Sequence, residues 1–233
     1  MTDQRTQTPT IALALGPVRF TGRAALVPAF AVLAAIVALV AHYRARLLSS
    51  PLTISAILWI TFQIYWTVAA TNSAPSVRSE STASRAVHQR LMLLSIALLF
   101  TPLPWLDRRI LPSGVIWPVI GVGISVASLA LAIGARRTLG RNWSGEITQK
   151  TDHQLIRSGP YRFARHPIYS ALIGLCLGTA FVSGDVHAFL GTLLMTVAYI
   201  RKIRLEERNL DDVFGSAYAD YRRSTRALIP WVL

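Results

Sequence analysis

Six apolar windows punctuate this chain, and a bilayer is the solvent they call for. They fall at about Ala24–Ala41, Leu52–Ala70, Leu91–Leu106, Gly114–Ala135, Ile168–Ser183 and Val186–Ile200. The first four approach the ~20 residues that a helix needs to cross hydrocarbon. Backbone polar groups at that depth must be satisfied within their own element, so such windows become helices. Only Gly184 and Asp185 separate the last two, which predicts a tight helical hairpin. The chain is 52% hydrophobic and only 15% charged, whereas a soluble domain carries about a quarter of its residues charged. The expected fold is therefore an all-α integral membrane protein of about six transmembrane helices. The count is five if Pro102 and Pro104 leave the third window only partly inserted. Residues 1–23 read as a short disordered cytoplasmic tail, 24–135 as four generic spans, and 136–233 as the functional region with its C-terminal hairpin.

Charge placement gives the orientation. With six spans and a cytoplasmic N-terminus, 20 of the 24 Lys and Arg residues face the cytoplasm. The other face keeps Arg44, Arg46, Arg108 and Arg109, and the hairpin tip Ser183–His187 has no Lys or Arg. That excess follows the positive-inside rule, so both termini are expected in the cytoplasm of a multi-pass protein of a bacterial inner membrane. The net charge of +13 does not point to nucleic acid, because the basic residues sit in short blocks rather than on one face with interleaved aromatics. The opening MTDQRTQTPT lacks the charged start and apolar core of a signal peptide. A lone cysteine, Cys176, excludes an intrachain disulfide and a thiolate metal cluster and reads as a small buried hydrophobe. His42, His88 and His187 lack a second ligand at metal spacing, so no metal is expected.

Several features within the windows have plain readings. Gly121-Val-Gly123 has a nucleotide-loop look, yet it lies in an apolar helix with no preceding strand, so packing by small residues explains it. Gly174-x-x-x-Gly178 is expected to let the sixth span approach the fifth closely. Trp59, Trp66, Trp105 and Trp117 read as interfacial aromatics at span ends or on helix faces.

Two polar regions carry chemistry. The first is Leu139–Tyr169, which enters through LGRNWSGEITQKTDH and ends in the block His153–Tyr169, HQLIRSGPYRFARHPIY, with two histidines, three arginines and three aromatics beside the membrane. Leaving so dense a block unpaired there is costly. The alternative reading is an interfacial loop anchored to headgroups. Pro167 suits the first position of the next helix, whose N-terminus would offer free N–H donors to an anionic group. The second is Arg201–Tyr221, which extends the last span into the cytoplasm as a polar helix. Its i,i+4 charges alone describe a solvated, salt-bridged face. The hairpin, however, puts both regions on one side of the membrane, with the Glu206 turn near the His166 turn. That juxtaposition predicts a cofactor pocket.

At these residues the chain resembles the isoprenylcysteine carboxyl methyltransferase family of integral membrane enzymes. The matching elements are His153-x-Leu155-Ile156, Gly159-x-Tyr161 and Arg165-His166-Pro167-x-Tyr169. Glu206-Glu207, Phe214-Gly215, Tyr218-x-x-Tyr221 and Ile229-Pro230 follow. The resemblance implies methyl transfer from S-adenosylmethionine to a lipophilic acceptor, by the family name the carboxylate of an isoprenylcysteine or a related isoprenoid or lipid. It implies a cofactor site made of His153, Gln154, Leu155, Ile156, Tyr161, His166, Pro167, Ile168, Tyr169 and Glu206. Lys202 and Arg165 are the implied catalytic residues. Lys202 stands four residues before Glu206, where the family has an arginine for the substrate carboxylate. The lysine keeps the charge and loses the bidentate fork.

The chemistry suits those residues. A sulfonium zwitterion needs groups of both signs and aromatic faces. His166 or main-chain N–H groups would take its carboxylate, Glu206 its ammonium or ribose, and Tyr161 or Tyr169 its sulfonium. An anionic oxygen or sulfur acceptor needs little acid–base help, whereas an amine would need Glu207 or His166 as base. Two other readings remain: an NADPH-dependent membrane reductase of the steroid-reductase type, and a non-enzymatic membrane protein. The absence of an asparagine after Pro167 favours the methyltransferases over the first. The absence of paired intramembrane charges and of an inverted repeat weakens the second. Membrane lipids are expected partners, and the sequence leaves the oligomeric state open.

Overall fold

A computed structural model describes residues 12–15, 18–21, 51–70, 76–79, 81–101, 103, 105–106, 108–143, 148–150 and 154–228. Helices dominate it: α1 (Pro51–Ala70), α2 (Thr82–Phe100), α3 (Ile116–Leu139), α4 (Pro167–Ser183), α5 (Val186–Phe214) and α6 (Ser216–Ser224). Three of them, α1, α3 and α5, are long and apolar enough to cross a membrane, and α4 is a shorter apolar helix of 17 residues. The first apolar window, Ala24–Ala41, lies outside the described residues.

The third window is shifted. α2 starts at Thr82, where the Ser81 hydroxyl accepts from the Ser84 amide at 3.3 Å, and it stops at Phe100 instead of running to Leu106. Thr101 is already extended, at φ −107° and ψ 112°, as the residue before a proline prefers to be. The strands are a second departure from an all-helical expectation. Ala12–Leu15 (β1) pairs antiparallel with Val18–Thr21 (β2), inside the segment read as a disordered tail. Ser76–Ser79 (β3) pairs antiparallel with Thr148–Lys150 (β4), tying together two loops more than sixty residues apart.

α4 is the centre of the packing. It is apolar almost all round, as buried helices are, and most of its side chains are buried. Gly184 ends it in the left-handed region, at φ +76°, and Asp185 starts α5, so the tight hairpin is present. The Gly174-x-x-x-Gly178 face, however, packs on α3 rather than on α5. A Cβ at Gly178 would lie 2.2 Å from Ser125 Oγ and 2.5 Å from the Gly121 carbonyl, and one at Gly174 would lie 2.3 Å from Ser128 Oγ. The close approach to α5 comes from α2, where a Cβ at Gly191 would meet the Ser95 carbonyl and the Leu99 amide, each at 2.8 Å. Trp66 is also a correction. It is fully buried against Trp143, ring centroids 5.8 Å apart, and is a core residue rather than an interfacial one. Trp105 is exposed, and Trp59 donates to Thr179 Oγ1 at 2.9 Å, linking α1 to α4. Cys176 is a buried free thiol.

Candidate functional site

The C-terminal end of α3, the N-terminal end of α4 and the polar half of α5 converge at one end of the helical layer. Gly140 leaves α3 with φ +52° and starts a 3-10 turn over Gly140–Asn142. A second 3-10 turn, Gly159–Arg162, brings the chain to α4. Gly159 sits at φ +57° against Thr138, whose Oγ1 would lie 2.9 Å from an added Cβ. That turn buries Tyr161, and its carbonyl accepts from the Tyr221 hydroxyl of α6. Arg157 holds α6 from the other side, donating to the Ala217 carbonyl with its guanidinium 5.5 Å from the Tyr221 ring.

The core of the site is a charged and aromatic cluster between α4 and α5. Tyr169 Oη donates to Glu206 Oε2 at 2.7 Å, and His166 Nδ1 lies 3.8 Å from the same oxygen. His166 Nε2 lies 3.3 Å from Glu207 Oε1, and Arg165 Nε donates to that oxygen at 2.8 Å. The His166 ring stacks on Tyr169 with centroids 5.4 Å apart and planes within 3°, and Tyr199 continues the stack at 4.7 Å. Each tether fixes a rotamer, so the cluster is held from two helices at once.

A strap formed by the residues after α6 closes the arrangement. The Arg165 amide donates to the Arg226 carbonyl at 2.8 Å, the His166 amide to the Ala227 carbonyl at 2.9 Å, and Ser170 Oγ to the Leu228 carbonyl at 2.6 Å. The Arg165 guanidinium also reaches the Thr225 carbonyl. This narrows the expectation of free N–H donors at the N-terminus of α4. The strap takes the Arg165 and His166 amides, and Pro167 has no N–H to offer.

Burial alone would raise the Glu207 carboxyl, but hydrogen bonds from His166 and Arg165 and their charge outweigh it and hold it at about 2. Glu207 is therefore a clamp and a poor general base. Burial, with Glu206 beside it, pushes the Tyr161 hydroxyl well above its ordinary range. The sign of the Glu207 shift gives an acid-stability prediction. Its pKa is depressed on folding, so its contribution is complete above the unfolded value of 4.5 and fades as pH falls toward about 2. Thermal unfolding followed between pH 6 and pH 2 should show a loss of stability across that window. Glu207→Gln should be less stable at neutral pH and should show a shallower loss.

An open-sided cleft lies over this cluster, about 860 Å³ counting its mouth. Of the residues singled out from sequence, Gln154, Leu155, Ile156, Tyr161, Arg165, His166, Ile168, Tyr169 and Glu206 line it. Pro167 is buried at the first position of α4 and sets the turn rather than the wall. Lys202 is 4% exposed and sits behind the cleft, its Nζ 5.8 Å from the centre of the Tyr169 ring. His153 and the Ile229-Pro230 ending lie outside the described residues. Leu139 at the end of α3, with Asn142 and Trp143 just after it, also lines the cleft; all three fall inside the polar region Leu139–Tyr169, though none was singled out as a site residue. Sequence reasoning missed Asn209 and Leu210, whose i+3 and i+4 spacing from Glu206 places them on its face. Phe214, Tyr218 and Tyr221, which the motifs contain but the implied cofactor site does not, line it as well. Among the described residues, no group of three or more His, Cys, Asp and Glu side chains could hold a metal ion.

Residues 121–212 match the model of the Isoprenylcysteine carboxyl methyltransferase (ICMT) family. The resemblance read from the motifs is thus borne out, and Arg165, His166, Tyr169, Glu206 and Glu207 fall inside the match. The chain is 31% identical over 96 residues to a protein-S-isoprenylcysteine O-methyltransferase of Schizosaccharomyces pombe, covering 40% of this chain and 41% of that one. It is 36% identical over 115 residues to the cobalt-zinc-cadmium resistance protein CzcN of Cupriavidus metallidurans, covering 46% and 52%. It is 39% identical over 71 residues to methanethiol S-methyltransferase 1 of Bradyrhizobium diazoefficiens, covering 30% and 24%. The chain thus spans about half or less of the length of each of these relatives.

Proposed function

We propose that this chain is a multi-pass membrane methyltransferase that binds S-adenosylmethionine in the cleft and methylates a lipophilic acceptor. The names of its relatives make the carboxylate of an isoprenylcysteine, or of a related isoprenoid acid, the first choice. The observation that carries the reading is the Tyr169–Glu206 hydrogen bond inside a mixed-charge, aromatic cleft, within the segment that matches the family. Six spans with cytoplasmic termini remain the topology the charge distribution favours, and the cleft then opens to the cytoplasm.

The donor set fits the cofactor. The Glu206 side chain is 30% exposed at the cleft, free to take an ammonium or ribose hydroxyls while Tyr169 fixes its rotamer. Arg165 lines the cleft and offers a cation to a carboxylate. The Tyr218 side chain is buried at the cleft beside the Glu207 carboxylate. Trp143, Tyr161 and Phe214 supply apolar walls for a base or a sulfonium. Bound there, S-adenosylmethionine would supply an electrophilic methyl group on a positively charged sulfur.

The chain's own residues then position and exclude water. Lys202, behind Tyr169, would bias an anionic acceptor head toward the donor. A carboxylate or thiolate acceptor needs no base, which agrees with a Glu207 held at about 2. An amine acceptor fits poorly for the same reason. The acceptor's lipid tail would enter laterally between spans, and the soluble cofactor from the cytoplasm. Isothermal titration of the purified protein with S-adenosylhomocysteine and with NADPH tests the reading. Saturable binding of the first and none of the second is expected; tight NADPH binding would point to the reductase chemistry and sink the proposal.

A further inference from the structure

α5 has a second functional face. Arg204 and Arg208 stand two residues before and two after Glu206, so at 3.6 residues per turn both point away from the cleft, about 200° around the helix. Arg201, Arg204 and Arg208 follow i, i+3, i+7 spacing and share that outer face. With Val197, Ile200 and Leu205 they line a shallow hollow. Above it the same helix exposes Leu190, Leu193, Val197 and Ile200, an apolar stripe that leads straight into the arginines. Arg201 is pinned toward α2, its Nη2 donating to Ser84 Oγ at 2.9 Å.

The other two arginines differ from the three at this end of the molecule that pair with carboxylates. Arg165, Arg222 and Arg223 pair with Glu207, Asp211 and Asp220. Arg204 and Arg208 are exposed and have no carboxylate within ion-pair distance among the described residues. An apolar stripe ending in unpaired guanidinium groups complements one molecule in particular: acyl chains along the stripe, and a net-negative phosphate head against the arginines. A zwitterionic head would bring its own cation to the same place. We infer that the outer face of α5 is a binding site for a single anionic phospholipid of the surrounding bilayer, held by Arg201, Arg204 and Arg208. The lipid braces α5 directly opposite the turn that carries Glu206.

Native mass spectrometry of the detergent-purified protein tests this, with phosphatidylglycerol and phosphatidylcholine of identical chains as probes. One phosphatidylglycerol should be retained that phosphatidylcholine does not replace. Arg204→Gln with Arg208→Gln should weaken that binding by about 30-fold, the effect of removing two charges near an anionic surface. The control pair Arg222→Gln with Arg223→Gln should leave it unchanged, because those arginines are already paired. Unfolding temperatures of both pairs close to wild type show that the fold is kept. Equal loss in the control pair, equal retention of phosphatidylcholine, or displacement by inorganic phosphate alone overturns the inference. So does a second copy of this chain in place of the lipid, lost on the same double substitution. None of these readouts requires methyl transfer, so a failure of the proposed enzymatic function leaves the lipid count legible.

Discussion

Glu206→Gln should remove measurable S-adenosylhomocysteine binding while leaving the protein folded. Gln keeps an oxygen for the Tyr169 hydroxyl, so the rotamer and the α4–α5 tether survive. What it loses is the charge that would meet an ammonium or strengthen bonds to ribose hydroxyls. Hydrogen bonds to a charged group are worth about 1.5–3 kcal/mol each, so losing two weakens affinity by at least about 100-fold. Calorimetry reads the affinity, and a thermal scan should show an unfolding temperature close to wild type because Glu206 is part-exposed. Tight binding by the variant would show that the cofactor is held elsewhere. His166→Ala is a harsher change, since it also strips Glu207 of a partner and Tyr169 of its stacking neighbour.

Gly178→Ala should give the largest loss of stability per atom added. Its Cβ would fall 2.5 Å from the Gly121 carbonyl and 2.9 Å from the Ser125 amide, and neither main-chain group can rotate away. Overpacking of a core costs about 1–3 kcal/mol, and a clash between two backbones belongs at the upper end. At roughly 2–4 °C per kcal/mol for a chain of this size, the unfolding temperature should drop by about 6–12 °C. Gly123→Ala is the matched control on the same helix as Gly121: nothing lies within 4 Å of its Cβ, so it should be neutral or slightly stabilising. Equal effects of the two would mean that α3 and α4 are not in contact at Gly178.

These two positions also show what sequence could and could not say. The meeting of Tyr169 with Glu206 was legible because a two-residue turn between apolar helices leaves little choice about which ends come together. The partner of Gly174-x-x-x-Gly178 was not. Small residues announce that a neighbour will approach, yet which neighbour depends on how the whole layer packs, and that is a non-local property. α2 was misplaced because hydropathy follows apolar residues, and its first turns carry Arg85, His88 and Arg90; the Ser81 cap was the better signal. The strap on the Arg165 and His166 amides was hidden for the same non-local reason. It joins residues sixty positions apart through backbone groups that no side-chain pattern records. Lys202 lies where its spacing from Glu206 implied, on the same side of α5, but packed behind Tyr169 rather than open to the cleft.

That strap has a consequence for the order in which the molecule is made. The α3–α4–α5 layer can enter the bilayer and pack as soon as its own residues are synthesised. The floor of the cleft cannot, because the carbonyls that cap the approach to α4 belong to Arg226, Ala227 and Leu228. Until the ribosome has released that stretch, Arg165 can pair with Glu207, but the Arg165 and His166 amides lack their carbonyl partners. The proposed cofactor-binding end is therefore the last part to mature, and a nascent chain stalled before residue 226 should be inserted in the membrane yet unable to hold a ligand.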